Sequence, residues 1–114
     1  MSEKKHWLRR VDHVLERIAQ IKSYVVGMDY EGFLQDKKTY DAVERCFEVI
    51  SEASKHIPDA VKKEHPDLGW ADIIGMRNII AHDYENVEGD VLWDTVHHDL
   101  PRLEKAMTDI KKRY

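Results

Sequence analysis

The chain is poor in the residues that usually interrupt or cross-link a fold: among 114 residues there are one cysteine, three prolines and five glycines. One cysteine, Cys46, excludes an internal disulfide and suits a reducing compartment, so a cytoplasmic location is expected. Cys46 itself reads as a small buried apolar residue on a helix. Few glycines and prolines beside 35% charged residues argue against disorder and against a β-sandwich, and favour a helical globular protein. No apolar run approaches membrane-spanning length, so no membrane association is expected. The basic start, residues 1–6, leads into an amphipathic pattern rather than an apolar h-region, so no signal peptide is expected. Also missing are a Gly-rich phosphate loop, an HExxH pair, a Cys–His nucleophile arrangement and any internal repeat. No cofactor is therefore expected. The run His97-His98-Asp99 resembles a metal site only at first glance, because adjacent helical residues point about 100° apart, and no metal is expected there. The net charge of −4 argues against indiscriminate nucleic-acid binding and confines any RNA contact to a local basic site.

What is present is helical periodicity. Leu8, Val11, Val14, Leu15, Ile18, Ile21 and Val25 recur at three-and-four spacing and predict a long amphipathic helix that exits between Gly27 and Gly32. Its Arg9, Arg10 and Arg17 alternate with Asp12 and Glu16, as on a solvated face. After a polar turn at Gln35-Asp36-Lys37-Lys38, a second helix carries Tyr40, Val43, Phe47, Ile50 and Ile57 inward, with Thr39 as its expected N-cap. Residues 58–64 predict a short helix opened by proline, and Pro66 with Gly69 breaks the chain before a third long helix near Trp70. Lys55, His56, Lys62, Lys63 and His65 make this corner basic enough to guide an RNA backbone, although surface lysines more often serve solubility. A last helix from about Asp90 uses Leu92, Val96, Leu103, Met107 and Ile110 as its inner face, with a kink expected at Pro101. The expected architecture is all-α: one domain over residues 1–114, an antiparallel four-helix bundle with an additional short helix.

One passage carries chemistry: Gly75-Met76-Arg77-Asn78-Ile79-Ile80-Ala81-His82-Asp83-Tyr84. On a helical wheel Trp70, Ile73, Ile74, Ile80, Ala81 and Tyr84 fall within about 60° of Arg77, which puts a guanidinium in the middle of an apolar stripe. A charge there must be paired, snorkel or face a cleft, because burying it without a partner costs several kcal/mol. Taken alone, Arg77 is better explained by an ion pair with an acidic residue of a neighbouring helix, His82 by a solvated or hydrogen-bonded imidazole, and Tyr84 by a core or rim aromatic. On a straight helix Arg77 and His82 diverge by roughly 140°. To act together they require a helix that ends or bends near Ala81, an arginine that wraps, or an active centre drawn from two copies of the chain. Met76 and Ile79 beside the small Gly75 form a second apolar side that a homodimer would bury.

The pattern Arg77-x4-His82-x-Tyr84 resembles the signature of the HepT group of HEPN-domain toxins, whose partners are minimal nucleotidyltransferase (MNT) antitoxins. Tyr40 to Arg45 through Ile50-Ser51-Glu52-Ala53 resembles the second helix of that family. His65-Pro66 with Trp70 to Asn78 resembles the approach to its active helix, and Val91-Leu92-Trp93 with Asp99-Leu100-Pro101 its last helix. The resemblance covers close to the whole chain and implies a HEPN-type bundle and a metal-independent endoribonuclease. Such an enzyme uses the RNA 2′-hydroxyl as nucleophile, so that a proton shuttle and a cation suffice. In this reading His82 is the general acid or base, Arg77 the phosphate stabiliser and Asn78 an orienting residue. The products carry a 2′,3′-cyclic phosphate, and deoxy substrates are inert. The resemblance further implies a homodimer that brings two such pairs into one groove, and Tyr84 as the acceptor of AMP from the nucleotidyltransferase. Glu85-Asn86-Val87 depart slightly from the pattern, where a bulky aromatic or apolar residue is expected, so the resemblance does not define the shape of the groove entrance. The alternatives are a catalytically inactive helical binding partner of the nucleotidyltransferase, and a plain oligomerisation domain, which leaves Arg77 unexplained.

Overall fold

The computed structural model describes the backbone of residues 6–75 and 89–114 and the side chains of 6–75 and 91–114. The helices are α1 (Leu8–Val25), α2 (Tyr30–Gln35), α3 (Lys37–Lys55), α4 (Asp59–Lys62), a 3-10 turn at Pro66–Leu68, α5 (residues 70–75), α6 (Gly89–Asp94), a π-helical turn at Thr95–Asp99, and α7 (Leu100–Arg113). No strand occurs among the described residues, so the all-α class stands. None of their helices is long and apolar enough to cross a membrane.

The α1 periodicity works as the spacing predicts. Val11, Val14, Ile18 and Ile21 are fully buried, and α1 packs most extensively on α3 and next on α7. From α3 come Val43, Cys46, Phe47 and Ile50, from α6 Leu92, from the π turn Val96, and from α7 Leu103, Met107 and Ile110. These side chains form one core, the predicted inner faces meeting each other. Burying a side chain of this size contributes about 1.5–3 kcal/mol. The ion pairs Lys22–Glu104 at 3.3 Å and Lys111–Asp12 at 2.8 Å join α7 to α1 on the surface, where each is worth about 1 kcal/mol or less. Cys46 is buried, as expected, and burial pushes its thiol pKa up.

Three local features differ from the sequence reading. A short helix, α2, fills the stretch after Gly27, whose φ of +77° suits glycine. Asp29 caps it by accepting from the Gly32 N–H at 2.8 Å, and it buries only Phe33. One buried residue in one turn leaves no period to read. Secondly, α3 is capped by Asp36 and not by Thr39: the Asp36 carboxylate accepts from the Thr39 N–H at 3.1 Å. Asp36 also donates its own N–H to the Gly32 and Phe33 carbonyls, so one residue closes α2 and opens α3, which a threonine three positions on cannot do. Thirdly, Pro101 does not act alone: the chain widens into a π turn just before it, and the Leu100 N–H donates to the Thr95 carbonyl five residues back. Pro101 has no N–H, and its ring crowds the carbonyl four residues earlier, so a wider turn upstream relieves both.

The Glu44 carboxyl on α3 has its pKa raised, first by burial, then by the Asp41 and Glu48 carboxylates, against a smaller lowering by Lys37. The folded chain thus holds this proton more tightly than the unfolded chain does. Its penalty is absent at pH below the unfolded carboxyl's pKa and complete above the raised one, so stability falls as pH rises through that window. Glu44→Gln should therefore raise the urea midpoint at pH 7, with a gain that shrinks as denaturation is repeated at progressively lower pH.

Candidate active site

Arg77, Asn78, His82 and Tyr84 lie outside the described residues, as do Glu85-Asn86-Val87. What is described is the scaffold on either side of them. On the entering side, the 3-10 turn Pro66–Leu68 and Gly69 at φ +73° reverse the chain. The Gly69 carbonyl then accepts from the Asp72 and Ile73 N–H groups, both at 3.1 Å, to start α5. Trp70 is pinned by its indole N–H, which donates to the Lys62 and His65 carbonyls at 3.0 and 3.1 Å. The Lys62 ammonium lies 6.0 Å from the indole centroid, within cation–π range. Arg102 of α7 ties down the preceding turn by donating to the Asp67 carbonyl.

Trp70 and Ile73 both pack against the core, Ile73 beside Phe47, Ile50, Leu100 and Leu103. Two members of the predicted apolar stripe, Trp70 and Ile73, therefore face inward. In the sequence Arg77 follows Ile73 by four places. A polar contact among the described residues holds the end of α5: the buried Ser51 hydroxyl on α3 donates to the Ile74 carbonyl.

On the leaving side, Leu92 is buried and Trp93 packs on Phe33 at 5.3 Å, Tyr30 at 6.3 Å and His97 at 4.2 Å between ring centroids. His97 hydrogen-bonds the Trp93 carbonyl through Nδ1 at 2.8 Å, and His98 the Asp94 carbonyl at 3.1 Å. Each imidazole is thus held by the residue four places before it. Among the described residues no three His, Cys, Asp or Glu side chains converge as metal ligands would.

The family model for HepT-like ribonucleases matches residues 14–110. The chain belongs to the HepT-like ribonuclease family. It is 38% identical over 102 residues, 90% of this chain and 93% of the relative, to a protein named "Probable ribonuclease HepT" from Thermococcus cleftensis. It is 30% identical to a "Putative RNase" of Caldanaerobacter subterraneus subsp. tengcongensis over 90% of this chain and 92% of the relative. A "Putative RNase" of Methanocaldococcus jannaschii is 33% identical over 87% of this chain and 82% of its own length. No solved structure matches.

For a HepT-like ribonuclease the matched span runs from within α1 almost to the end of α7 and includes Arg77, Asn78, His82 and Tyr84. The basic corner expected to guide RNA is largely engaged within the protein. Lys55 and His56 each lie 3.6 Å from Glu52, and His65 Nε2 lies 3.3 Å from Asp109 without hydrogen-bond alignment. Arg10, His13 and Arg45 line a shallow groove of about 290 Å³ between α1 and α3, but Glu48 and Glu52 share it, so its charge is mixed. The residue that sequence reasoning gave no role is Ser51. Its signal was available: a serine four places after Phe47 and one after Ile50, on the inward side of α3, where an apolar residue is the rule.

Proposed function

We propose that this HepT-like protein is the toxin of a HEPN/MNT pair, a metal-independent endoribonuclease acting in the cytoplasm and silenced by adenylylation of Tyr84. The observation that carries this reading is the family match across residues 14–110 with Arg77-x4-His82-x-Tyr84 intact inside it. Acting as base, His82 takes the proton from a ribose 2′-hydroxyl, whose oxygen attacks the adjacent phosphorus. The P–O5′ bond breaks, the departing 5′-oxygen takes a proton from an imidazolium, and a 2′,3′-cyclic phosphate remains. Arg77 forks onto the non-bridging oxygens as charge gathers on the phosphorane, and Asn78 orients the phosphate or the imidazole. A homodimer sets two such pairs in one groove and removes the divergence of roughly 140° between Arg77 and His82 on one straight helix.

Regulation follows from charge and bulk. Attack of the Tyr84 hydroxyl on the α-phosphorus of ATP, catalysed by the nucleotidyltransferase, forms tyrosyl-AMP and releases pyrophosphate. The added anion repels RNA phosphate two residues from His82, and the nucleoside fills the groove. Expressed alone, the chain should arrest growth. Co-expressed with its nucleotidyltransferase it should be harmless and carry the mass of added AMP by intact-protein mass spectrometry, and Tyr84→Phe should lose both the mass and the protection. AMP mapped to another residue would overturn the regulatory part, and harmless expression of the natural chain alone would overturn the toxin.

A further inference from the structure

We propose that Ser51 is a positioning residue for RNA cleavage: its hydroxyl fixes the register of the helix that leads into Arg77. The inference rests on the ribonuclease reading above and adds to it a residue remote from the reacting atoms. A serine within a helix commonly returns its hydroxyl to a carbonyl three or four residues back on its own helix. Ser51 instead donates across 23 residues to the Ile74 carbonyl. It is 0% exposed, so water cannot replace the bond if the hydroxyl is removed.

The other anchor of α5 at this end is apolar. Ile73 packs against the core and lines a small cavity with Phe47, Ile50 and Leu103, and apolar contact is non-directional, so it holds the helix against the core while leaving its rotation and axial slide weakly specified. A hydrogen bond is directional and specifies both. Ile74 precedes Arg77 by three residues, a span of at most roughly 10 Å even when fully extended. Whatever sets that carbonyl limits where the guanidinium can reach, and misplacement of a reacting group by about 1 Å can cost on the order of 100-fold in rate.

The same helix supplies the control. Ser54, one turn on, is also 0% exposed, but its hydroxyl has no hydrogen-bond partner among the described residues. The test uses the full chain and an RNA substrate, with Ser51→Ala, Ser51→Cys and Ser54→Ala. Alanine removes the hydroxyl and leaves space, whereas cysteine fills the site with a somewhat larger group that is only a weak donor, so a loss shared by both variants follows the hydrogen bond and not the volume. Both Ser51 variants should lower kcat about tenfold or more with KM within about twofold of the natural chain, and should speed amide exchange at Ile73, Ile74 and Gly75. Ser54→Ala should match the natural chain in both readouts. Faster exchange with unchanged kcat, a cysteine variant as active as the natural chain, or a loss confined to KM would each overturn the proposal. An active natural chain with indifferent Ser51 variants sinks the positioning role alone, whereas a natural chain that cleaves no RNA sinks the ribonuclease reading and this inference with it.

Discussion

His82→Ala should lower the rate of RNA cleavage by about 10²–10⁴-fold, the range over which a positioned acid or base contributes. The loss should fall on kcat, since the imidazole acts on protons in flight in the transition state and contributes little to ground-state binding. Single-turnover cleavage by purified natural and variant chains reads it directly, with thermal unfolding of both as the control for folding. Expression of the variant should also relieve growth arrest. A variant that cleaves at the natural rate would show that the proton is moved by another group, and His82 would revert to an ordinary surface or hydrogen-bonded histidine.

Arg77→Ala should cost about 10²–10³-fold in kcat, as removal of a single oxyanion donor does elsewhere. The informative comparison is Arg77→Lys. Lysine keeps the charge but replaces a planar fork with a compact ammonium, so it cannot make the paired N–H···O contacts that match two phosphate oxygens. Lysine should therefore recover only a small part of the loss. Full activity of the lysine variant would mean that Arg77 supplies charge at a distance. Equal folding defects in both variants, seen as a lowered urea midpoint, would point instead to a structural ion pair.

The long helices were legible because their apolar residues repeat over several turns. Val11, Val14, Ile18 and Ile21 announce α1, and Leu103, Met107 and Ile110 announce α7, and all seven are buried. What could not be read is what depends on a single turn or on a partner distant in sequence. The helix α2 buries Phe33 alone. Asp36 and Thr39 are both good caps, and only the end of α2 one residue earlier decides for Asp36. Proline announces a disturbance near residue 101 but not its form, a π turn at Thr95–Asp99. At the candidate site, the roles proposed for Arg77, His82 and Tyr84 come from a family resemblance carried by the linear sequence, whereas the hydrogen bond from Ser51 to Ile74 joins two helices and leaves only an unexpected serine on an apolar face as its trace.

The most direct test is cleavage of a defined RNA in excess chelator, set beside the same strand carrying a single 2′-deoxy substitution at the scissile nucleotide. With the 2′-hydroxyl as nucleophile and side chains in place of a metal ion, the RNA is cut, the upstream product ends in a 2′,3′-cyclic phosphate, and the deoxy strand stays whole at that position. Cleavage of the deoxy strand there, or cleavage that stops in chelator and returns with a divalent cation, would contradict it.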